Sequence, residues 1–221
     1  MRRGVAVLAL FLAALAGCIE YEERLALDAD GNAGSLKIHL GVAEQMVSWA
    51  KPKNNEVEQV FPLTVPELRK ELDSDAMALT DARAESTRDM RHLYLVCQVK
   101  DASRLTASPA LSERKLSIKP LPGGGWSFSQ ELTVSEESLG TKAAPSGVLK
   151  QLEDTLGKEQ LSAMLGRYHL TFSVSAPAGF VATSPDGKIH RKNTVVWTKS
   201  LAELLYNRQA WKMEASFAKA Q

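Results

Sequence analysis

The feature that most constrains this chain is a strict two-residue alternation. Tyr168, Leu170, Phe172 and Val174 alternate with Arg167, His169, Thr171 and Ser173. Successive side chains of a strand point to opposite faces, so this pattern suits a sheet with one buried and one wet face. The same period recurs along the chain. Ile19, Tyr21, Leu25 and Leu27 alternate with Glu20, Glu22, Arg24 and Asp28. Leu36, Ile38 and Leu40 alternate with Ser35, Lys37 and His39, and the turn-rich stretch Asp28 to Gly34 between the two runs predicts a hairpin. Further strands are expected at Leu93 to Val99, around Leu116 and Ile118, from Trp126 to Val134, around Trp197, and from Trp211 to Phe217.

Helical spacing is scarcer. Gly41 to Ala50, carrying Val42, Met46, Val47 and Trp49, predicts a short helix ended by Lys51-Pro52-Lys53. A second runs from about Glu56 to Leu72 with Val57, Val60, Phe61, Leu68 and Leu72, and Pro66 suits the first turn of its later half. Leucine stripes over Val148 to Leu156 and Leu161 to Leu165 complete the set. Ser135 to Gly147 is small and polar, a candidate loop or internal boundary. Close strand pairs without a βαβ repeat predict an α+β fold: a mainly antiparallel, meandering sheet with helices packed on one face.

Ahead of the first strand lies a different kind of segment. Arg2-Arg3 is a basic n-region, and Gly4 to Ala14 is continuously apolar. The run stops before charged Glu20, too short to span hydrocarbon comfortably, and so has the build of a signal peptide over residues 1–17. Leu15-Ala16-Gly17-Cys18 has the form of a bacterial lipobox. Small residues precede the cleavage point, and Cys18 supplies a thiol for diacylglycerol and, once terminal, an amine for a further acyl chain. Residues 18–221 then form one extracytoplasmic domain, held to a membrane by two or three acyl chains. Ile19 is not the acidic residue of inner-membrane retention, which leaves inner and outer membrane both open. No second apolar run occurs near the C-terminus, so no membrane span is expected there.

Charge narrows the function classes. The chain holds 27 Lys+Arg against 26 Asp+Glu, and removal of Arg2 and Arg3 leaves 25 against 26. A polyanion binder needs a basic excess, so nucleic acid is not an expected partner. With Cys18 acylated, Cys97 is unpaired. It shares a strand face with Leu93, Leu95 and Val99, which predicts a buried structural thiol, with His92 on the opposite face.

The start Cys18-Ile19-Glu20-Tyr21 with its Asp28 to Gly34 turn resembles bacterial lipoproteins with LppM-like domains. So does the end: Pro177-Ala178-Gly179-Phe180, Asp186-Gly187-Lys188 and Asn193-Thr194-Val195-Val196-Trp197. The resemblance covers the two ends of the chain. It implies an α+β envelope lipoprotein in contact with lipid, and it transfers no catalytic residue.

The candidate chemistry is sparse. Asp28, Asp30 and Asn32 have the opening spacing of a calcium loop, but Ala33 and His39 occupy the positions that need glycine and a bidentate acid, so a plain turn is expected. His39, His92 and His169 fall on the polar phase of separate strands, and His190 on a loop. None has metal-motif spacing, so a solvated face with no metal and no cofactor is expected. Gly123-Gly124-Gly125 precedes a strand and predicts a hairpin turn. Lys188, His190, Arg191 and Lys192 form the densest basic cluster, a solvated tip or a contact for anionic headgroups. The expected function is that of a noncatalytic, lipid-anchored envelope lipoprotein in lipid or protein contact. The alternative is an envelope hydrolase or transferase with a site assembled from distant residues. A partner surface is expected on the helical side, around Val42, Met46, Val47, Trp49, Val57, Val60 and Phe61, and not at a histidine metal site.

Overall fold

The computed structural model describes residues 19–43, 65–112, 114–132, 153–154, 157–177, 179–191, 193–206 and 210–218. The lipobox, the helical stretches over 44–64, the loop at 135–147 and Lys192 lie outside them. The strands are β1 (Ile19–Leu27), β2 (Gly34–Ala43), β3 (Met77–Ser86), β4 (Met90–Val99), β5 (Lys115–Pro120), β6 (Trp126–Leu132), β7 (His169–Ser175), β8 (Phe180–Thr183), β9 (Lys188–His190), β10 (Thr194–Ser200) and β11 (Trp211–Phe217). Among the described residues, the helices are α1 (Val65–Leu72), a 3-10 turn (Ala102–Ala107), α2 (Lys158–Leu165) and α3 (Leu201–Tyr206).

The strands form two sheets, not one. The larger has the order β3-β4-β2-β1-β7-β10-β9 and the smaller β5-β6-β11-β8. Neighbours pair antiparallel except β1 and β7, which run parallel with Tyr21 opposite Leu170 and Ala26 opposite Ser175. The coarse expectation holds: the described residues are mostly sheet, rich in antiparallel pairs, with few helices. The finer one is corrected. What meets the inner face of the larger sheet is chiefly the second sheet, because both carry an alternating apolar face that water would otherwise wet. Phe128 lies 5.7 Å from Trp197 and Phe172 lies 5.4 Å from Trp211, ring centre to ring centre. Trp126, Trp197 and Trp211 are all fully buried, as core and not as ligand platforms.

The helices fill the margins. Leu68 and Leu72, one turn apart on α1, are buried against the main core. Leu161 and Leu165 of α2 and Leu201, Ala202 and Leu205 of α3 make a smaller second cluster. Helix α3 starts with a capping box: Glu203 Oε2 accepts from the Ser200 backbone N–H and hydroxyl at 2.8 Å each, and the Ser200 hydroxyl accepts from the Glu203 N–H. Gly41 to Ala43 belong to β2 and not to a helix, because β4 continues the ladder up to Ala43 opposite Met90. Val42 is thereby an inward core residue.

The Asp28 to Gly34 turn is held by its own first side chain. The Asp28 carboxylate accepts from the N–H groups of Asn32 and Ala33. Gly31 has φ +71°, and a Cβ there would lie 2.5 Å from the Trp126 ring, so the turn docks on the smaller sheet at a point open only to glycine. The glycine run after β5 is the expected hairpin turn, with φ of 88°, 94° and 85° at Gly123, Gly124 and Gly125. Cys97 is buried, as the alternation requires, and burial, helped by Asp73, pushes its thiol up to about 12.

Two polar groups break the inner pattern of the strands, Gln130 on β6 and, on β1, the charged Glu23. Glu23 lies on the core face of β1 between Tyr21 and Leu25. Its Oε2 accepts from Tyr21 Oη and, at 2.6 Å, from Arg114 Nη1, while Arg114 Nη2 donates to Tyr21 Oη at 3.2 Å. The Arg114 and Glu23 side chains are 8% and 9% exposed, so the pair is desolvated. Burial opposes the Arg114 charge, but Glu23 and Tyr21 outweigh it and hold the guanidinium protonated. Removing one partner strands a buried charge, which costs about 3–5 kcal/mol. Arg114→Met is therefore expected to lower stability by about that amount in urea unfolding, and adding Glu23→Gln to recover part of it.

Candidate functional site

The outward face of the larger sheet carries the histidines. Alternation puts Glu20 and Glu22 of β1, His39 of β2, and His92 and Tyr94 of β4 on this face, since their neighbours Tyr21, Leu40, Leu93 and Leu95 are buried. The register brings them together. Gly41 pairs with Glu20 on one side and with His92 on the other, and His39 pairs with Glu22 and Tyr94 in the next row. Gly41 presents no side chain between its flanking partners. A Cβ there would lie 3.1 Å from His92 Nδ1 and 3.3 Å from Glu20 Cβ.

His39 and His92 close over this gap. His39 Nε2 is 3.1 Å from His92 Nδ1, with the ring centres 5.3 Å apart and the planes 27° from parallel. Tyr94 lies flat against His39, 4.5 Å away and 4° from parallel, with the Arg83 guanidinium 5.1 Å from the Tyr94 ring centre. One ligand atom from each of Glu20, His39 and His92 lies within 4.8 Å of the others. Glu20 is exposed, and the two imidazoles are half-buried. Burial, then His92, holds His39 below its ordinary imidazole value, with Glu20 and Glu22 pulling the other way and Arg24 adding to the depression. Glu22 is engaged by Arg24 at 2.7 Å.

The expectation of separate, solvated histidines is thus corrected for two of the three. His39 and His92 meet because β4 pairs with β2, an adjacency that period alone does not specify. His169 begins β7, opposite Ser200, and stays out of the cluster. In the sequence Glu20 is marked only by the polar phase of its strand, and Gly41 opens a stretch whose spacing predicts a helix. Neither carries a local motif.

The other anticipated residues are dispersed. Leu15, Ala16, Gly17 and Cys18 lie outside the described residues, but β1 begins at the next position, Ile19. Lys188 and His190 are exposed on edge strand β9, and Arg191 follows in a left-handed turn at φ 53°. His190 is in register with Thr194, Thr194 with Ser175, and Ser175 with Ala26. The basic tip therefore lies seven strand positions, about 23 Å, along the sheet from Ile19. The histidine cluster sits at the Ile19 end. Among the described residues, no helix is long and apolar enough to cross a membrane.

No protein-family model and no curated protein matches the chain. Among solved structures, it is similar to the folded domain of Mycobacterium tuberculosis LppM determined by NMR. The two share 13% identity with a TM-score of 0.48, over 92% of this chain and 91% of that one.

The depressed His39 has a consequence for stability. The unfolded chain binds the proton more readily, so the contribution is fully present above the ordinary imidazole value of about 6.5 and is lost as pH falls below it. Urea midpoints measured from about pH 8 down to about pH 5.5 are expected to decline less steeply in His39→Gln than in the parent.

Proposed function

We propose that this chain is a lipid-anchored lipoprotein of the bacterial envelope, facing the extracytoplasmic side and acting through lipid or protein contact at the membrane surface, without catalysis of its own. The observation that carries this reading is the position of β1. The strand starts at Ile19, directly after the lipobox Leu15-Ala16-Gly17-Cys18, and is the middle strand of the seven-stranded sheet. An acylated Cys18 then attaches to the centre of the domain with no intervening tether, and the Ile19 end of the sheet is held at the headgroups. Two or three acyl chains suffice for stable retention.

That end also carries the last residues of β2, from which the apolar segment with Met46, Val47, Trp49, Val57, Val60 and Phe61 departs. The tip of Lys188, His190 and Arg191 lies at the opposite end, which directs it toward a facing surface and not toward the bilayer that holds the anchor.

Mass spectrometry of the N-terminal peptide tests the anchor. It is expected to find Cys18 as the first residue, carrying acyl chains, and Cys18→Ala is expected to abolish processing at that position. An unmodified N-terminus at another residue refutes the reading.

A further inference from the structure

The cluster at the Ile19 end has the composition and spacing of a metal centre. Its three donors come from three neighbouring strands, and what brings them to one point is the register together with the missing side chain at Gly41. We propose that Glu20, His39 and His92 bind one divalent first-row transition-metal ion, with Zn2+ as its simplest probe.

The donor set selects the class of ion. Two imidazoles and one carboxylate suit zinc, copper or nickel, whereas calcium and magnesium prefer a shell of oxygens. The nitrogen separation fits as well. Two nitrogens each about 2.0–2.1 Å from a tetrahedral zinc stand roughly 3.3 Å apart, against 3.1 Å between His39 Nε2 and His92 Nδ1. The Glu20 carboxylate lies within reach of both, and its exposure leaves a further coordination position to solvent.

Ligation asks the two rings to tilt off the line that joins their nitrogens, so that both point at one ion, and it asks for one tautomer change. The two facing nitrogens now share one proton, so one ring donates to the other. For both to bind metal, the donor ring moves that proton to its other nitrogen. Both imidazoles remain neutral, and no net proton is released. His39 is already oriented by the flat stack with Tyr94, the kind of outer contact that fixes a ligating ring. Burial favours its neutral form, the one that ligates. The proposal stands on side-chain geometry and is independent of whether Cys18 is acylated.

The test is Zn2+ titration, by calorimetry and by competition with a chromogenic chelator. It uses the full chain carrying Cys18→Ser, so that no exposed thiol competes, purified in detergent. Saturable binding of one ion per chain is expected. His39→Gln and His92→Gln are each expected to weaken it by at least about tenfold. Glu20→Gln should weaken it too, and His190→Ala, six strand positions or about 20 Å along the sheet from Glu20, should leave it unchanged. Circular dichroism verifies folding, and if a histidine variant unfolds, exposed Glu20→Gln decides. Absence of saturable binding up to roughly 100 µM Zn2+, or full affinity in the folded cluster variants, overturns the proposal and leaves the pair as an interstrand hydrogen bond.

Discussion

The larger sheet depends on one pairing, the parallel ladder between β1 and β7. On one side of it lies β1-β2-β4-β3, antiparallel and drawn from the first part of the chain; on the other lies β7-β10-β9, drawn from the last. Without the ladder from Tyr21–Leu170 to Ala26–Ser175, each half ends in an open edge. Parallel strands cannot be joined by a tight turn, so the intervening chain must cross over, and on the way it builds β5 and β6 of the second sheet. A contact between residues so far apart in sequence is costly to close and is repaid only when the core forms around it.

Glu23 and Arg114 act on the same strand from within. A carboxylate on the inner face of a central strand is tolerated only with a partner, and Arg114, just ahead of β5, supplies it from the opposing layer. The pair is specific in register. A one-residue slip of β1 would carry Glu23 to the solvent face, leave Arg114 unpaired and turn Tyr21 and Leu25 outward. The interaction therefore ties strand register to the stacking of the two sheets.

The candidate site is a by-product of that architecture on the other face. Alternation alone placed His39 and His92 on polar phases and Cys97 opposite His92, and all three placements hold. It did not show that the histidines touch. That required the order β4-β2-β1, in which β4 pairs with β2 while β3, its predecessor in the chain, takes the outer edge. Gly41 hid the rest. Glycine at a strand end reads as a breaker, yet here it continues the ladder and its missing side chain leaves the gap shared by Glu20 and His92.

By itself the sequence determined the faces: which residues of each strand turn inward, that Cys97 is a core thiol, that Asp28 to Gly34 is a turn, and that the first strand follows Cys18 without a tether. These are local properties, written in a period of two and in the conformational freedom of a few residues. The tertiary structure alone decided which strands are neighbours, that there are two sheets where one was expected, that Arg114 meets Glu23, and that two histidines from different hairpin arms share a site. Those are set by the packing of whole faces, where any strand with the right alternation can sit beside any other until the volume and charge of the core select one order.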